Sequence, residues 1–340
     1  MGLDAIMEII MSGLTGDMEA DIVYLQEQMG KYKNDPQAAA IMQECGRIMY
    51  ELLPEEKKAE LAQAGEQDQE AFDKALDQIS FLINAKDYDK ALEAAKILVE
   101  DVEKSGLYQE DEDSDCFSFE EPMDEVLYHY VNDDGGETLR HAMIPYSRIY
   151  TLYGRLLAGM KKFQEAKEIL SKAMRWNPYN GEAVFEYAEL FKIDGDMETY
   201  LALTKMELNQ AYRSKDVARC YLNLAYYFAE KKMFDVAAAC MVISLKYDAD
   251  NQFAKDEFAY IKAQTGSGYQ DPTMEEIQAL AEKHNIPLGA SEDSIGLALS
   301  YGKHYAEEHV YDAARYFLGI AYELTDAAEI KEMLDQIPEN

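Results

Sequence analysis

Four cations, Arg148, Arg155, Lys192 and Arg219, stand in a chain whose charge is otherwise strongly negative. A guanidinium presents a planar fork of N–H donors that holds a carboxylate bidentately. Side chains of this kind can capture an acidic side chain or a C-terminus, with Phe185 and Tyr226 supplying apolar contact and Asn223 adjacent. The competing reading is that Glu182 and Glu189 neutralise the arginines as ordinary surface ion pairs.

No other residue group points to a reaction. The five histidines do not cluster in sequence, and His304 and His309 lie five apart, on different faces of a helix. HExxH and GxSxG are absent, and Gly266 and Gly268 are not followed by the Lys-Ser or Lys-Thr of a phosphate loop. Asp111, Asp113 and Asp115 alternate as in a calcium loop. However, Cys116 takes the place of the required glycine and Pro122 that of the closing glutamate, so an EF-hand is rejected. No catalytic residue, cofactor or metal is therefore expected, and the chain reads as a binding protein rather than an enzyme.

The cations must be positioned by helices, and the helices recur. Residues 147–180 read SRIYTLYGRLLAGMKKFQEAKEILSKAMRWNPYN. Small residues, Gly154 on a first helix and Ala166 and Ala173 on a second, allow the two to cross closely. Tyr153, Leu157, Phe163 and Leu170 fill the space around the crossing, and Pro178 ends the second helix. Tyr221, Leu224, Ala225, Phe228, Phe234 and Ala237 repeat the arrangement over 218–251. Residues 181–214 are a degenerate copy that keeps Ala188 and Phe191 but places Tyr200 where alanine is expected. Further units fall at 295–328 (Gly302, Ala314, Leu318, Ala321) and 72–105 (Ile79, Leu82, Ala91, Ala95, Leu98).

Interruptions separate these units at 106–146 and 265–291. In the first, Phe117, Phe119, Tyr128 and Tyr130 are placed to pin the insertion to the repeats, and residues 132–136 read as a turn. In the second, Thr273 with Glu276 forms a capping box, and HNIPLG reads as extended. Residues 1–66 form a helical cap, with Asp35-Pro36 as a helix start and Met7, Ile10, Met11 and Leu14 as an apolar packing stripe. Residues 326–337 form a terminal cap helix.

The net charge is −34, from 66 acidic and 32 basic residues. A field of that sign repels phosphate backbones, so nucleic acid is not an expected partner. The four cysteines show no CxxC pairing and read as small buried residues. The N-terminus lacks the basic start of a secretory signal, and no apolar run is long enough to span a membrane. A cytoplasmic, reduced setting is the expectation.

The units resemble the tetratricopeptide repeat superfamily, whose period is 34 residues. More narrowly, FSFEEPMDEVLYHYV, the 147–180 unit, HNIPLGASEDSI and AYELTDAAEIKEML are similar to a group of such proteins from clostridia-type bacteria. The resemblance implies an all-α solenoid, a right-handed superhelix of antiparallel helix pairs, over 67–340 behind the 1–66 cap. It also implies that the second, fifth, ninth and twelfth places of each first helix face a concave, ligand-reading groove. Those places hold Arg148, Thr151, Arg155 and Ala158, then Glu182, Phe185, Glu189 and Lys192, then Arg219, Leu222, Tyr226 and Ala229. Arg155, Asn223 and Arg219 partly match the carboxylate clamp of chaperone-binding members, whereas Thr151 stands where that clamp has lysine. The expected role is a protein- or peptide-binding adapter or scaffold. The alternatives are a peptide-responsive regulator and, from another class, an acidic nucleic-acid mimic or enzyme accessory subunit.

Overall fold

The computed structural model describes residues 2–33, 37–104, 116–132, 139–266 and 268–338, the side chains of 4, 39, 40, 43 and 60–68 excepted. The expected helix start at Asp35-Pro36, the acidic run 106–115 and most of the turn at 132–136 lie outside them. The described chain divides into two compact units, Met1–Asp73 and Lys74–Asn340.

The first unit is built from α1 (Leu3–Ser12), α2 (Met18–Tyr32), α3 (Ala38–Leu52) and the start of α4 (Glu55–Asn84). Its core gathers Ile6, Met7, Ile10, Leu25, Ile41, Cys45 and Ile48. The apolar stripe on α1 therefore runs through Ile6 rather than Met11, which is 54% exposed. Asp21 is buried in the first turn of α2, where its carboxylate accepts from Thr15 N, Thr15 Oγ1 and Gly16 N of the preceding turn. The backbone donor of Thr15 is the main force holding its pKa low.

The second unit is an all-α tetratricopeptide-type solenoid. It continues with α5 (Tyr88–Lys104), α6 (Pro122–Asn132), α7 (Tyr146–Gly159), α8 (Phe163–Trp176), α9 (Gly181–Asp194), α10 (Met197–Gln210), α11 (Ser214–Glu230) and α12 (Phe234–Tyr247). Then follow α13 (Gln252–Thr265), α14 (Met274–His284), α15 (Glu292–Glu307), α16 (Tyr311–Thr325) and α17 (Ala328–Gln336). The close pairs α7–α8, α11–α12 and α15–α16 show why small residues are needed. A Cβ on Gly154 would lie 2.6 Å from Leu170 Cγ, and one on Gly302 would lie 2.7 Å from Leu318 Cγ. Ala188 and Ala225, both 1% exposed, take the same place in their pairs.

The turn between paired helices has one solution throughout. It places a residue in the left-handed region: Lys86, Lys161, Gly195, Lys232 or His309. The end of each unit is also repeated. Asn180 and Asn251 accept from Ala183 N and Ala254 N, capping α9 and α13 in the same way.

The insertion is docked by one buried carboxylate. Asp124, at 0% exposure on α6, accepts from Glu120 N, Glu121 N, Asn177 Nδ2 and Tyr212 Oη at 2.7–3.1 Å. Asn180 Nδ2 joins the same network, donating to Glu120 Oε1 and Ser147 Oγ. A two-residue parallel pair, β1 (Cys116–Phe117) and β2 (Arg140–His141), closes the base of the insertion. Phe117, Phe119 and Tyr128 cluster against one another, whereas Tyr130 is 50% exposed. The apolar face of α6 (Met123, Val126, Leu127) packs with Tyr179, Tyr212 and the α15–α16 pair. Met123 N there donates to Tyr316 Oη.

The second interruption lies along α11. Tyr221 Oη donates to Pro287 O and receives Gly289 N, and Tyr247 Oη receives Ala290 N. The Thr273–Glu276 capping box is present at the start of α14.

Candidate functional site

The first helices α7, α9, α11 and α13 line up on one side of the second unit, and a cavity of about 630 Å³ opens among them. Glu186, Glu189, Lys192 and Ile193 come from α9; Arg219, Asn223 and Tyr226 from α11; Phe253 and Glu257 from α13. Among the described residues, none that lines it belongs to 116–132, 139–146 or 268–291.

Four of the seven residues singled out from sequence meet here: Lys192, Arg219, Asn223 and Tyr226. Phe185 lies just beneath. It is 5% exposed, and the Arg219 guanidinium covers its ring at 5.4 Å. Arg148 and Arg155 fall outside the lining. Arg155 pairs with Glu182. Arg148 stands at the start of α7, where its charge acts on the Glu120 carboxyl. Thr151, another expected groove residue, is instead buried and donates to Ser147 O.

The four cations therefore do not form a free basic strip. Lys192 and Arg219 share the Glu189 carboxylate, at 2.5 and 3.7 Å. Lys192 also lies 4.5 Å over the Tyr226 ring. The reason is steric economy: Glu189 and Lys192 are one turn apart on α9, and Arg219 reaches across from α11.

Two residues make the site more than a crevice. Asn223 is 3% exposed, yet its Nδ2 has no hydrogen-bond partner. Tyr200 is 1% exposed and its Oη is likewise unpartnered. Buried polar atoms are almost always satisfied, because desolvating one without a partner costs about 1–3 kcal/mol. Tyr200 occupies the α10 position where the neighbouring pairs carry Ala166, Ala237 and Ala314. An aromatic ring at a place built for a methyl group is displaced toward the cavity, where it meets Tyr226 edge-on at 6.2 Å.

The carboxyls of the site divide in two. Glu189 is paired, whereas Glu186 and Glu257 make no ion pair among the described residues. Burial pushes the Glu186 carboxyl up, against the opposing pull of Arg219 and Arg155.

A second buried polar region lies behind the cavity, next to the Asp124 network. Glu207 on α10 is 2% exposed. Burial, reinforced by the Asp216 charge, pushes its carboxyl up to about 8. Burial also moves Glu120 up to about 7. A Cβ on Gly181 would lie 2.7 Å from Glu207 Oε1 and 3.1 Å from Asp216 Oδ2, so glycine there leaves room for the two acids.

The α13 wall, with Phe253 and Glu257, is absent from the sequence-based repeat list. Its signal was present. Asn251 begins it as Asn180 begins α9, with apolar Ala254, Phe258 and Ile261 at helical spacing.

No family model matches the chain, and no curated protein matches it. Among solved structures, a tetratricopeptide repeat protein from Parabacteroides merdae superposes with a TM-score of 0.38 at 13% identity. That superposition covers 98% of this chain and 97% of the other. A chain of the APC/C hetero-tetramer Cut9-Hcn1 gives 0.34 at 16% identity, covering 95% of this chain and 60% of that one. The P58(IPK) TPR domain gives 0.22 at 14% identity, over 98% and 96%.

Proposed function

We propose that the chain is a peptide-binding adapter that holds an extended segment of a partner protein in the cavity between α9, α11 and α13. The observation that carries this reading is the buried, unpartnered Nδ2 of Asn223 in the lining. An amide N–H with no internal acceptor is satisfied by a ligand carbonyl, and an extended peptide supplies one per residue. Tyr226 and Phe253 provide aromatic surface beside it, the usual source of binding energy at such sites. Of the other residues singled out from sequence, Arg148 and Arg155 have no part in this reading and three have supporting places. Phe185 and Arg219 form the floor, and Lys192 orients Tyr226.

The test exploits a stability–function conflict. Asn223→Leu removes an unsatisfied buried amide, so the variant should be as stable as the wild type or more so. Immobilised wild-type chain should retain peptides from a random heptapeptide library, and Asn223→Leu combined with Tyr226→Ala should retain far fewer. Equal retention by both proteins, or none by the wild type, sinks the reading.

A further inference from the structure

The same cavity carries a charge preference, and it is opposite to the one its arginines suggest. Of the two cations in the lining, Lys192 and Arg219, both are bound to Glu189 and both cover aromatic rings, Tyr226 and Phe185. A ligand carboxylate approaching them would have to displace Glu189 and would then face Glu186 and Glu257. Those two carboxylates are the unspent charges of the site. Neither is in an ion pair among the described residues, and the fields of Arg219 and Arg155 do not offset the burial of Glu186, so a ligand cation that pairs with them gains directly. The rim adds apolar surface: Ile193 is 54% and Phe253 62% exposed. The net charge of −34 further attracts cationic partners and repels acidic ones.

We infer that the partner segment is basic: a lysine or arginine side chain pairs with Glu186 and Glu257, its main-chain carbonyl accepts from Asn223, and apolar neighbours lie on Ile193 and Phe253. The unpartnered Asn223 and Tyr200 separate this from a merely acidic surface patch, because they ask for a ligand with hydrogen-bonding groups as well as charge. A partner of this kind is a protein segment in which basic and apolar residues are mixed, held without a terminal carboxylate.

This inference rests on the peptide-groove reading and is tested on the same library, acetylated and amidated so that no peptide carries terminal charges. Retention is measured at about 0.15 M salt, where charges beyond ~8 Å are largely screened. The peptides kept by the wild-type chain should be enriched in Lys plus Arg over Asp plus Glu. The enrichment should fall about threefold for each of Glu186→Gln and Glu257→Gln, the scale of one partly exposed ion pair. Overall retention of neutral peptides should persist in both variants, which shows that the groove is intact. Enrichment in Asp and Glu, or no charge bias, overturns the inference and leaves the groove reading standing. So does a Lys and Arg enrichment unchanged in the double variant, which would assign it to the overall field. No retained peptide at all removes both.

Discussion

Replacing Glu207 with glutamine should change how the stability of this protein depends on pH. Glu207 is buried on α10 beside Asp216, and its carboxyl is displaced from the ordinary 4.5 to about 8. In the unfolded chain it loses its proton near the ordinary value, while the folded chain keeps it. Between the two values the folded state binds more protons, so stability falls as pH rises, by about 1.4 kcal/mol per unit. From pH 5 to pH 8 this one group removes about 3 kcal/mol. Glu120, pushed up to about 7, acts in the same direction over the lower part of the window. Carboxylates held low, such as Asp21 and Asp271, act below pH 5 and so outside this window. Glutamine keeps the shape and cannot ionise. The chain has one tryptophan, Trp176, buried on α8 and stacked on Tyr146 at 4.3 Å, so its fluorescence reports on the central helices. Urea unfolding followed at Trp176 should show the wild type losing markedly more stability than Glu207→Gln between pH 5 and pH 8. If the two proteins lose the same amount, Glu207 is not the buried proton carrier and the reasoning fails.

Three further outcomes are expected. Gly302→Ala should destabilise by about 2 kcal/mol, because its Cβ would lie 2.9 Å from the Leu318 backbone nitrogen, whereas Gly296→Ala, with nothing within 4 Å, should stabilise the same helix; thermal melting of both variants checks the pair. Asp124→Ala should cost about 3 kcal/mol or more by orphaning Asn177 Nδ2, Tyr212 Oη and two backbone donors, and hydrogen exchange should then rise across α6. Arg155→Gln should cost less than about 1 kcal/mol in urea titration, since its pair with Glu182 is half exposed on both sides.

The fold was legible where steric rules repeat. Gly154 against Leu170 and Gly302 against Leu318 are single contacts that admit no larger residue, and their recurrence at one spacing marks the helix pairs. The α1 stripe was legible only as a period: Ile6 and Met11 both fit it, and packing against α3 selects Ile6. The site was less legible because its chemistry depends on which charges meet. Glu182 and Glu189 stood in the sequence as candidate partners of the arginines, beside the reading of a free basic strip, and the approach of α9 to α11 decides for the pairs, giving Glu189 to both Arg219 and Lys192. Tyr200 was visible as a departure from the repeat. That a departure can build a cavity follows from the space around it, which no single position records. The Asp124 network joins residues far apart in the chain and had no local signature.

The contact of α6 with the α15–α16 pair has a consequence for the order of folding. A stack of helix pairs assembles from near neighbours, and its ends open and close independently. The bond from Met123 to Tyr316 spans 193 residues, far beyond one repeat. Formed from a disordered chain, a loop of that size carries a large closure entropy, but once α7 to α14 are stacked the two sides are already held within reach. The insertion and the last pair therefore act as a clasp that engages late, after the stack. With the clasp engaged, the C-terminal pair can no longer fray alone, and its loss would loosen residues near the middle of the chain.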